Sequence, residues 1–407
     1  MPMPADPAHL AHLAHLVADV VHKYDDELRD LRRDLHAHPE LSRHEQRTTS
    51  LVADRLARTG WQVRLLPGSG LVADLGAEGP VVALRADMDA LPLEDVTTDP
   101  WASTVPGVAH ACGHDVHTTA LLGAALALDE VHTRGQLPGR VRLFFQPAEE
   151  VMPGGALDLI GQGVLEDVEQ VFALHCDPAV DLGQVGLRLG PLTSAADKVE
   201  VRLEGPGGHT SRPHLTGDLV FALAKVTTEL PAVLSRRMDP RSGVSVVWGV
   251  VAAGSAPNVI PDRGRVSGTV RILDAEAWAG CEQIVRDAVR DVVAPYGVTA
   301  HVDYLRGVPP VVNDPRANHV LSAAVSDVLG EEGRVVAGQS MGGEDFGWYL
   351  DEVPGAMMRL GTRTPGGPTY DLHQGNLRVD ERAVGVGARL MAQTALRAHL
   401  EGDPTLV

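Results

Sequence analysis

Apolar residues recur at helical spacing through residues 25–59, where Arg-Asp-Leu-Arg-Arg-Asp-Leu repeats until His38-Pro39-Glu40-Leu41 breaks the pattern. Proline lacks an amide hydrogen and clashes with the preceding turn, so this stretch is expected as a long helix with one interruption. Ahead of it, His-Leu-Ala repeats at 9–16 lead into an increasingly charged amphipathic stretch. It reads as a surface helix and not a signal peptide, having no basic n-region and no small-residue cleavage site. Its histidines are assigned to a ragged, exposed tail. Val81–Leu84 is a short apolar run that stops at Arg85-Ala86-Asp87-Met88-Asp89, a buried strand with acids at its C-terminal end. Thr118–Leu128 is rich in Ala and Leu and predicts a helix, which places His114 to His117 at its N-terminus. Arg140–Phe145 is a second strand, followed closely by Glu149 and Glu150. Val171–Leu174 is a third, ending in His175. In open α/β sheets the C-terminal strand ends are where sites are built.

The texture changes near Gly190. Lys198–Leu203 alternates as a strand does, Gly205–His209 is a glycine-rich turn and Asp218–Leu234 is helical. Ser245–Val251 and Gly264–Ile272 read as strands around a turn at Pro257–Asp262, Ala275–Tyr296 as a helix and Val298–Tyr304 as a strand. Two helices among about four strands describe a compact inserted α+β domain. After Pro309-Pro310 helix and strand alternate again, through Gly-Gly-Glu-Asp-Phe at 342–346 and Leu372-His373 to an amphipathic helix at about 379–400. The expected organisation is therefore an α/β domain formed by 1–189 and 307–407. A smaller α+β domain at 190–306 interrupts it. No repeat of fixed period and no low-complexity segment is found.

At 407 residues the chain exceeds one ordinary core, which supports two domains. A formal charge of −19 argues against nucleic acid and anionic membrane surfaces as partners. Three cysteines, Cys112, Cys176 and Cys281, make no disulfide framework and fit a reducing cytoplasm. No apolar run approaches the roughly 18–20 residues of a membrane span. The expectation is a cytoplasmic enzyme.

The chemistry concentrates in His-Ala-Cys-Gly-His-Asp-Val-His at 110–117 and Phe-Phe-Gln-Pro-Ala-Glu-Glu at 144–150. Thiol, imidazole and carboxylate are the groups that bind zinc and similar divalent ions. A second carboxylate beside a ligand supplies the general base that a metal hydrolase needs. The GPGGH segment at 205–209 lacks the Lys-Ser/Thr of a phosphate-binding loop and is not one.

HACGHDVHTTALLGAA, LFFQPAEE, ALH, GPGGHTSRPH, NVIPD with GTVR, MGGEDF and DLH together resemble the aminoacylase, hippurate hydrolase and auxin-conjugate amidohydrolase family of dinuclear metal hydrolases. The resemblance runs from about residue 27 to 398. It implies that the α/β domain is a zinc-peptidase-like catalytic domain with a mixed central sheet flanked by helices, split by a lid domain that usually dimerises. It implies metal ligands at Cys112, His114, Glu150, His175 and His373, with two divalent ions per chain. Zinc is the default, and manganese, cobalt or nickel suit the same donors. Asp87, Asp89 and Asp115 are candidates to orient ligand imidazoles. In related branches a His-x-Asp with a ligating His stands near 87–89, so Asp87 implies a different ligand set here. His110 and His117 flank the ligands, and each is assigned chiefly a structural place.

The resemblance also assigns Glu149 as general base and acid, with the roles of Glu149 and Glu150 exchanged as the alternative. His209 is the lid histidine expected to reach a partner subunit's active site, while Asn258, Arg271 and His214 are expected to hold substrate. Arginine suits a carboxylate through its planar pair of donors. After His373 the chain reads Gln374-Gly375-Asn376-Leu377, where relatives often carry a small residue, Pro and an aromatic; Asp380-Glu381 keeps the register. The implied function is metal-dependent hydrolysis of N-acyl-amino acids by a homodimer. The alternatives are a dipeptidase or carboxypeptidase of the same chemistry, a non-catalytic binder, and a thiol enzyme using Cys112.

Overall fold

The computed structural model describes residues 7–400. The chain divides into two compact units, one of Met1–Gly190, Val312–Gly338 and Trp348–Val407, the other of Pro191–Val311 and Gln339–Gly347.

The larger unit is built on an eight-stranded mixed sheet. Its strands run in the order Gln62–Leu65, Leu71–Leu75, Arg140–Gln146, Val81–Asp87, Val168–Asp181, Gly355–Arg363, Val185–Leu187, Arg334–Val336. The centre is parallel: Val81–Asp87 pairs in parallel with both Arg140–Gln146 and Val168–Asp181, and Gly355–Arg363 continues in parallel with the latter. Register places Asp87 opposite Gln146 and Arg85 opposite Ala173. Val81–Asp87 is buried along its whole length, as a central parallel strand covered on both faces must be.

The helix expected over 25–59 is two helices, Asp25–Ala37 and Gln46–Leu56, with the break at His38-Pro39. Glu40 caps the second by accepting the Arg47 and Thr48 amides at 2.9 and 2.8 Å. The helix carrying the Cys/His motif spans His114–Thr133 and is buried on nearly every side, which explains why it is apolar all round. Small residues set its packing distances. A Cβ on Gly123 would stand 2.7 Å from Ala388 Cβ, and one on Gly387 3.0 Å from Ala120 Cβ, so Ala383–Leu400 lies close against it. The N-terminal helix Pro7–Lys23 joins the same core through Leu13, Leu16, Val17 and Val20. The ragged tail expected there is instead a docked helix, with His12 and His15 on its exposed face.

The smaller unit has a four-stranded antiparallel sheet in the order Ser245–Ala253, Arg263–Ile272, Ala195–Glu204, Thr299–Val308. Helices Leu219–Arg237 and Ala275–Val293 are capped at their N-termini by Asp218 and Asp274. Along Ala195–Glu204 the residues Val199, Val201 and Leu203 are buried, while Lys198, Arg202 and Glu204 are exposed. That alternation is expected of a sheet with one packed face. Boundaries differ from those read in the sequence, and the main segment of this unit runs to Val311 where 306 was expected. The helix from Ala275 ends at Val293, because Pro295 disfavours continuation through Ala294. Residues 339–347 belong to the smaller unit: Ser340 bridges Thr193, a pairing too distant in sequence for local patterning to show. Among the described residues no helix is long and apolar enough to cross a membrane.

Candidate metal centre

Four segments of the larger unit converge beside the ends of Val81–Asp87 and Arg140–Gln146, with His175 reaching the same place from within Val168–Asp181. Gly113 adopts a left-handed conformation, φ 86°, just before the helix that starts at His114. This turn places Cys112 and His114 on either side of it. A Cβ at Gly113 would lie 2.8 Å from Cys176 Sγ, so the turn also packs directly on the strand that carries His175.

Cys112, His114 and His175 offer ligand atoms that all lie within 4.8 Å of one another, and so do Cys112, Glu150 and His373. Cys112 Sγ is 3.5 Å from His175 Nε2. Glu150 Oε1 is 3.8 Å from His114 Nε2 and 3.4 Å from His373 Nε2. Glu149 joins His114 and Glu150 in a third such group. Cys112 belongs to both triplets, so its thiol would serve ions held by either set of donors. The structure thus brings together all five residues assigned as ligands, with Glu149 beside them.

Each donor is held by a local device. His175 Nδ1–H donates to the Cys176 carbonyl at 2.8 Å, which leaves the lone pair of Nε2 facing Cys112. Asp89 is almost wholly buried; its Oδ2 accepts the Ser42 hydroxyl at 2.6 Å and the Glu150 amide at 2.9 Å. Its Oδ1 is 3.3 Å from His114 Nδ1, so one carboxylate orients both an imidazole and the chain carrying a glutamate. The loop bearing Glu149 and Glu150 is tightly wound. Ala148 has φ 59°, its amide donates to Glu45 Oε1 at 2.8 Å, and its carbonyl accepts the Gly155 amide at 2.8 Å. Gly155 is required, because a Cβ there would come 1.9 Å from the Pro147 carbonyl oxygen. His373, also left-handed at φ 60°, is tied by its amide to the Ala111 carbonyl at 2.8 Å and leaves its side chain about half exposed.

The electrostatics favour a cation. Burial opposes charge on His114, but Asp87, Asp89 and Glu150 outweigh it and raise its pKa to about 10. Burial, Arg359 and His117 push His175 well below the ordinary histidine value, so it is neutral with a free lone pair. Burial, then Glu150, Glu149 and Asp87, drive the Cys112 thiol well above its ordinary pKa. A catalytic thiolate needs the opposite surroundings, which disfavours the thiol-enzyme alternative. His114 Nε2 and Glu150 Oε1 are buried without a hydrogen-bond partner. Such orphaned atoms cost roughly 1–3 kcal/mol each unless something pairs with them. A thiol, three imidazoles and a carboxylate suit a divalent ion of the zinc, cobalt, nickel or manganese type.

The flanking residues resolve into different tasks. Asp115 does not orient a ligand. Its Oδ2 hydrogen-bonds His36 Nδ1 and pairs ionically with Arg32 Nε, each at 2.8 Å, and so anchors the first turn of the His114 helix to the helix Asp25–Ala37. Asp87 is bonded to Arg85 and His117. His110 is buried with both ring nitrogens unpartnered. Sequence reasoning missed Ser42 and Glu45, for which HPELSRHE carried no signal beyond a helix break. Glu45 accepts the Arg43 and Ala148 amides and the Ser69 hydroxyl.

The remaining candidates lie in the smaller unit. Gly208–His209 pairs with Val259–Ile260, and the Thr210 amide donates to the Asn258 carbonyl at 3.2 Å, so His209 and Asn258 share one exposed hairpin. His214, in the short turn Pro213–Leu215, is exposed nearby. Arg271 is not with them. It lies at the far end of the strand that begins at Arg263, eight residues and about 26 Å along an extended chain. It is half-buried and, among the described residues, forms no direct ion pair, although Asp197 acts on it at longer range.

Comparison with known proteins gives the same picture. The model of peptidase family M20/M25/M40 matches residues 83–397. An N-acetyl-L-cysteine deacetylase of Bacillus subtilis is 37% identical over 90% of this chain and 87% of its own. A solved dinuclear metal binding peptidase of the M20 family from Bacillus subtilis is 32% identical, with a TM-score of 0.82 over 94% of this chain and 99% of that one. A Rhodococcus jostii protein named as a glutamate–cysteine ligase is 52% identical over 90% of this chain, which spans only 46% of that relative's length.

Proposed function

The chain belongs to peptidase family M20/M25/M40 and is a hydrolase of the amidohydrolase type, and from that membership we propose that it cleaves the amide bond of N-acyl-amino acids, releasing a carboxylate and a free amino acid. The observation that carries the proposal is the convergence of Cys112, His114, Glu150, His175 and His373 with Glu149 beside them. The five would hold two divalent ions. When bound, such ions lower the pKa of a coordinated water toward about 7 and polarise the scissile carbonyl. Glu149 takes a proton from the attacking water and returns it to the leaving amine. Glu150, whose backbone amide is held by Asp89 Oδ2, is proposed as the ligand of the two carboxylates.

Arg271 is proposed to bind the substrate carboxylate, because a half-buried guanidinium without a carboxylate partner within reach is poised for an anion. His209 and Asn258, with His214 less directly, are proposed to bind the amide carbonyl and stabilise the oxyanion. The length of strand between Arg271 and the His209 hairpin argues that one copy supplies the arginine and a second the histidine. Strand Ser245–Ala253 is the sheet edge, with Val247 and Val251 about 60% exposed, and we place a homodimer interface there. A cytoplasmic location accords with three unpaired cysteines.

The relative named as an N-acetyl-L-cysteine deacetylase puts N-acetylcysteine among the substrates to test. The ligase name belongs to a chain more than twice the matched length and lends no activity to this one. The test is hydrolysis of N-acetyl-, N-benzoyl- and indole-acetyl-amino acids and of dipeptides, with and without chelator. Chelator-sensitive release from N-acyl-amino acids supports the proposal. Preference for a free α-amino group would make the enzyme a dipeptidase or carboxypeptidase, and no turnover by protein holding two ions per chain would make it a binder.

A further inference from the structure

His114 and His117 are three residues apart on one helix, a spacing that puts both on the same face and makes both look like ligands. The structure separates them. The ring of His117 lies 5.3 Å from that of His114 and 4.9 Å from that of His175, fully buried between the two. Yet both its nitrogens are occupied. The Cys176 amide donates to Nε2 at 2.7 Å, which leaves the proton on Nδ1, and Nδ1–H donates to Asp87 Oδ1 at 2.6 Å. The other oxygen of Asp87 accepts Arg85 Nη1 at 2.5 Å, and Arg85 Nε donates to Gln146 Oε1 at 3.0 Å. Tyr349 donates to the same Gln146 oxygen at 2.9 Å. Cys176 is the residue after His175, and its carbonyl takes His175 Nδ1–H.

We propose that His117 is a positioning residue for His175: backed by Asp87 and Arg85, it fixes the backbone at Cys176, and Cys176 fixes the tautomer and plane of the His175 ring. The inference rests on the metal-centre reading and extends it. His117 holds no ion. Asp87, with both oxygens engaged, holds none either, although it clusters with His114 and His117. The two strands that reach the centre are thereby joined side chain to backbone across the helix N-terminus.

The test is titration of the metal-free full-length chain with cobalt(II), following stoichiometry and the thiolate–cobalt absorption from Cys112. Wild type is expected to take two ions. His117→Leu fills the space without either hydrogen bond and is expected to weaken uptake of one ion 10–100-fold, the usual effect of removing a support behind a ligand. In a His175→Ala background the same substitution is expected to cost nothing more, since its effect runs through that ring; additive losses would show a merely structural role and overturn the proposal. If His117→Leu does not fold, His117→Asn, too short to span both partners, is read in its place. Wild-type affinity for both ions in a folded variant overturns the inference and leaves the metal reading standing. A wild-type chain that takes up no cobalt overturns the metal reading itself, and the inference with it.

Discussion

Asp89→Asn isolates one carboxylate that does two things at once. Oδ2 accepts from Ser42 and from the Glu150 amide, and Oδ1 faces His114 Nδ1 at 3.3 Å. Asparagine has one acceptor oxygen and one NH2 group, so it cannot satisfy both sides. If its oxygen keeps Ser42 and Glu150, the NH2 points at His114 Nδ1. The imidazole must then accept there and carry its proton on Nε2, the nitrogen that faces Glu150 and is needed for the ion. If the amide flips, the NH2 confronts the Glu150 N–H and a buried donor is orphaned, costing about 1–3 kcal/mol. The first arrangement leaves the fold intact and damages the site, and metal affinity is expected to fall about 10–100-fold, or ~1.4–2.7 kcal/mol. Competitive titration of the metal-free protein against a chelator measures the affinity, and thermal unfolding of the metal-free protein measures the fold. Wild-type affinity together with wild-type stability would refute the role given to Asp89.

The other predictions concern base, backbone, ionisation and substrate. Glu149→Ala is expected to retain its metal ions and lose turnover by at least about 100-fold, as removal of a general base does; an active, metal-loaded variant would sink that assignment. Gly113→Ala adds a Cβ to a left-handed residue 2.8 Å from Cys176 Sγ and is expected to cost about 2 kcal/mol or more in denaturant unfolding. A loss under about 0.5 kcal/mol would show the turn to be pliable. Burial lowers the pKa of His399 to about 4, so between there and its unfolded value the unfolded chain binds more protons. Its contribution of about 2 kcal/mol should be lost as the pH falls through that window, a slope that His399→Gln should flatten. Arg271→Ala should raise KM at least about tenfold with kcat little changed, and Arg271→Lys should recover only part of it; an unchanged KM removes Arg271 from the substrate site.

The strand ends were legible because their evidence is local. An apolar run that stops at an acid or just short of a pair of glutamates marks a buried strand reaching a site, as Val81–Asp87 and Arg140–Gln146 do, whereas the strand expected to end at His175 runs on through it to Asp181. The mixed sheet flanked by helices, and the family, followed from the same motifs in order. What sequence could not supply was the direction of side chains whose partners are far along the chain. Asp115 reads as a companion of His114 but reaches across 79 residues to His36. Glu45 looks like part of a helix break until its bond to Ala148, 103 residues away, is seen. His117 has the spacing of a ligand and the hydrogen bonds of a strut.

These long-range bonds have a common physical form. Arg32, Arg85, Asp87, Asp89, Asp115 and His117 are all at least about 95% buried, and burying charge in a protein interior ordinarily costs more than pairing returns. A fold selected for stability alone would fill those places with apolar side chains, as it does around Ala120, Leu121 and Phe172. Asp89 instead touches Glu150 and His114 directly, Arg85, Asp87 and His117 form a chain that ends on the Cys176 amide next to His175, and Arg32 and Asp115 anchor the first turn of the helix that carries His114. Rigid placement of donors before an ion arrives is worth more to binding than the stability it costs, because a donor that must be ordered on binding subtracts that ordering from the affinity. The apolar helix layer of His114–Thr133 and Ala383–Leu400, packed through alanine and glycine, is what lets the domain carry that cost.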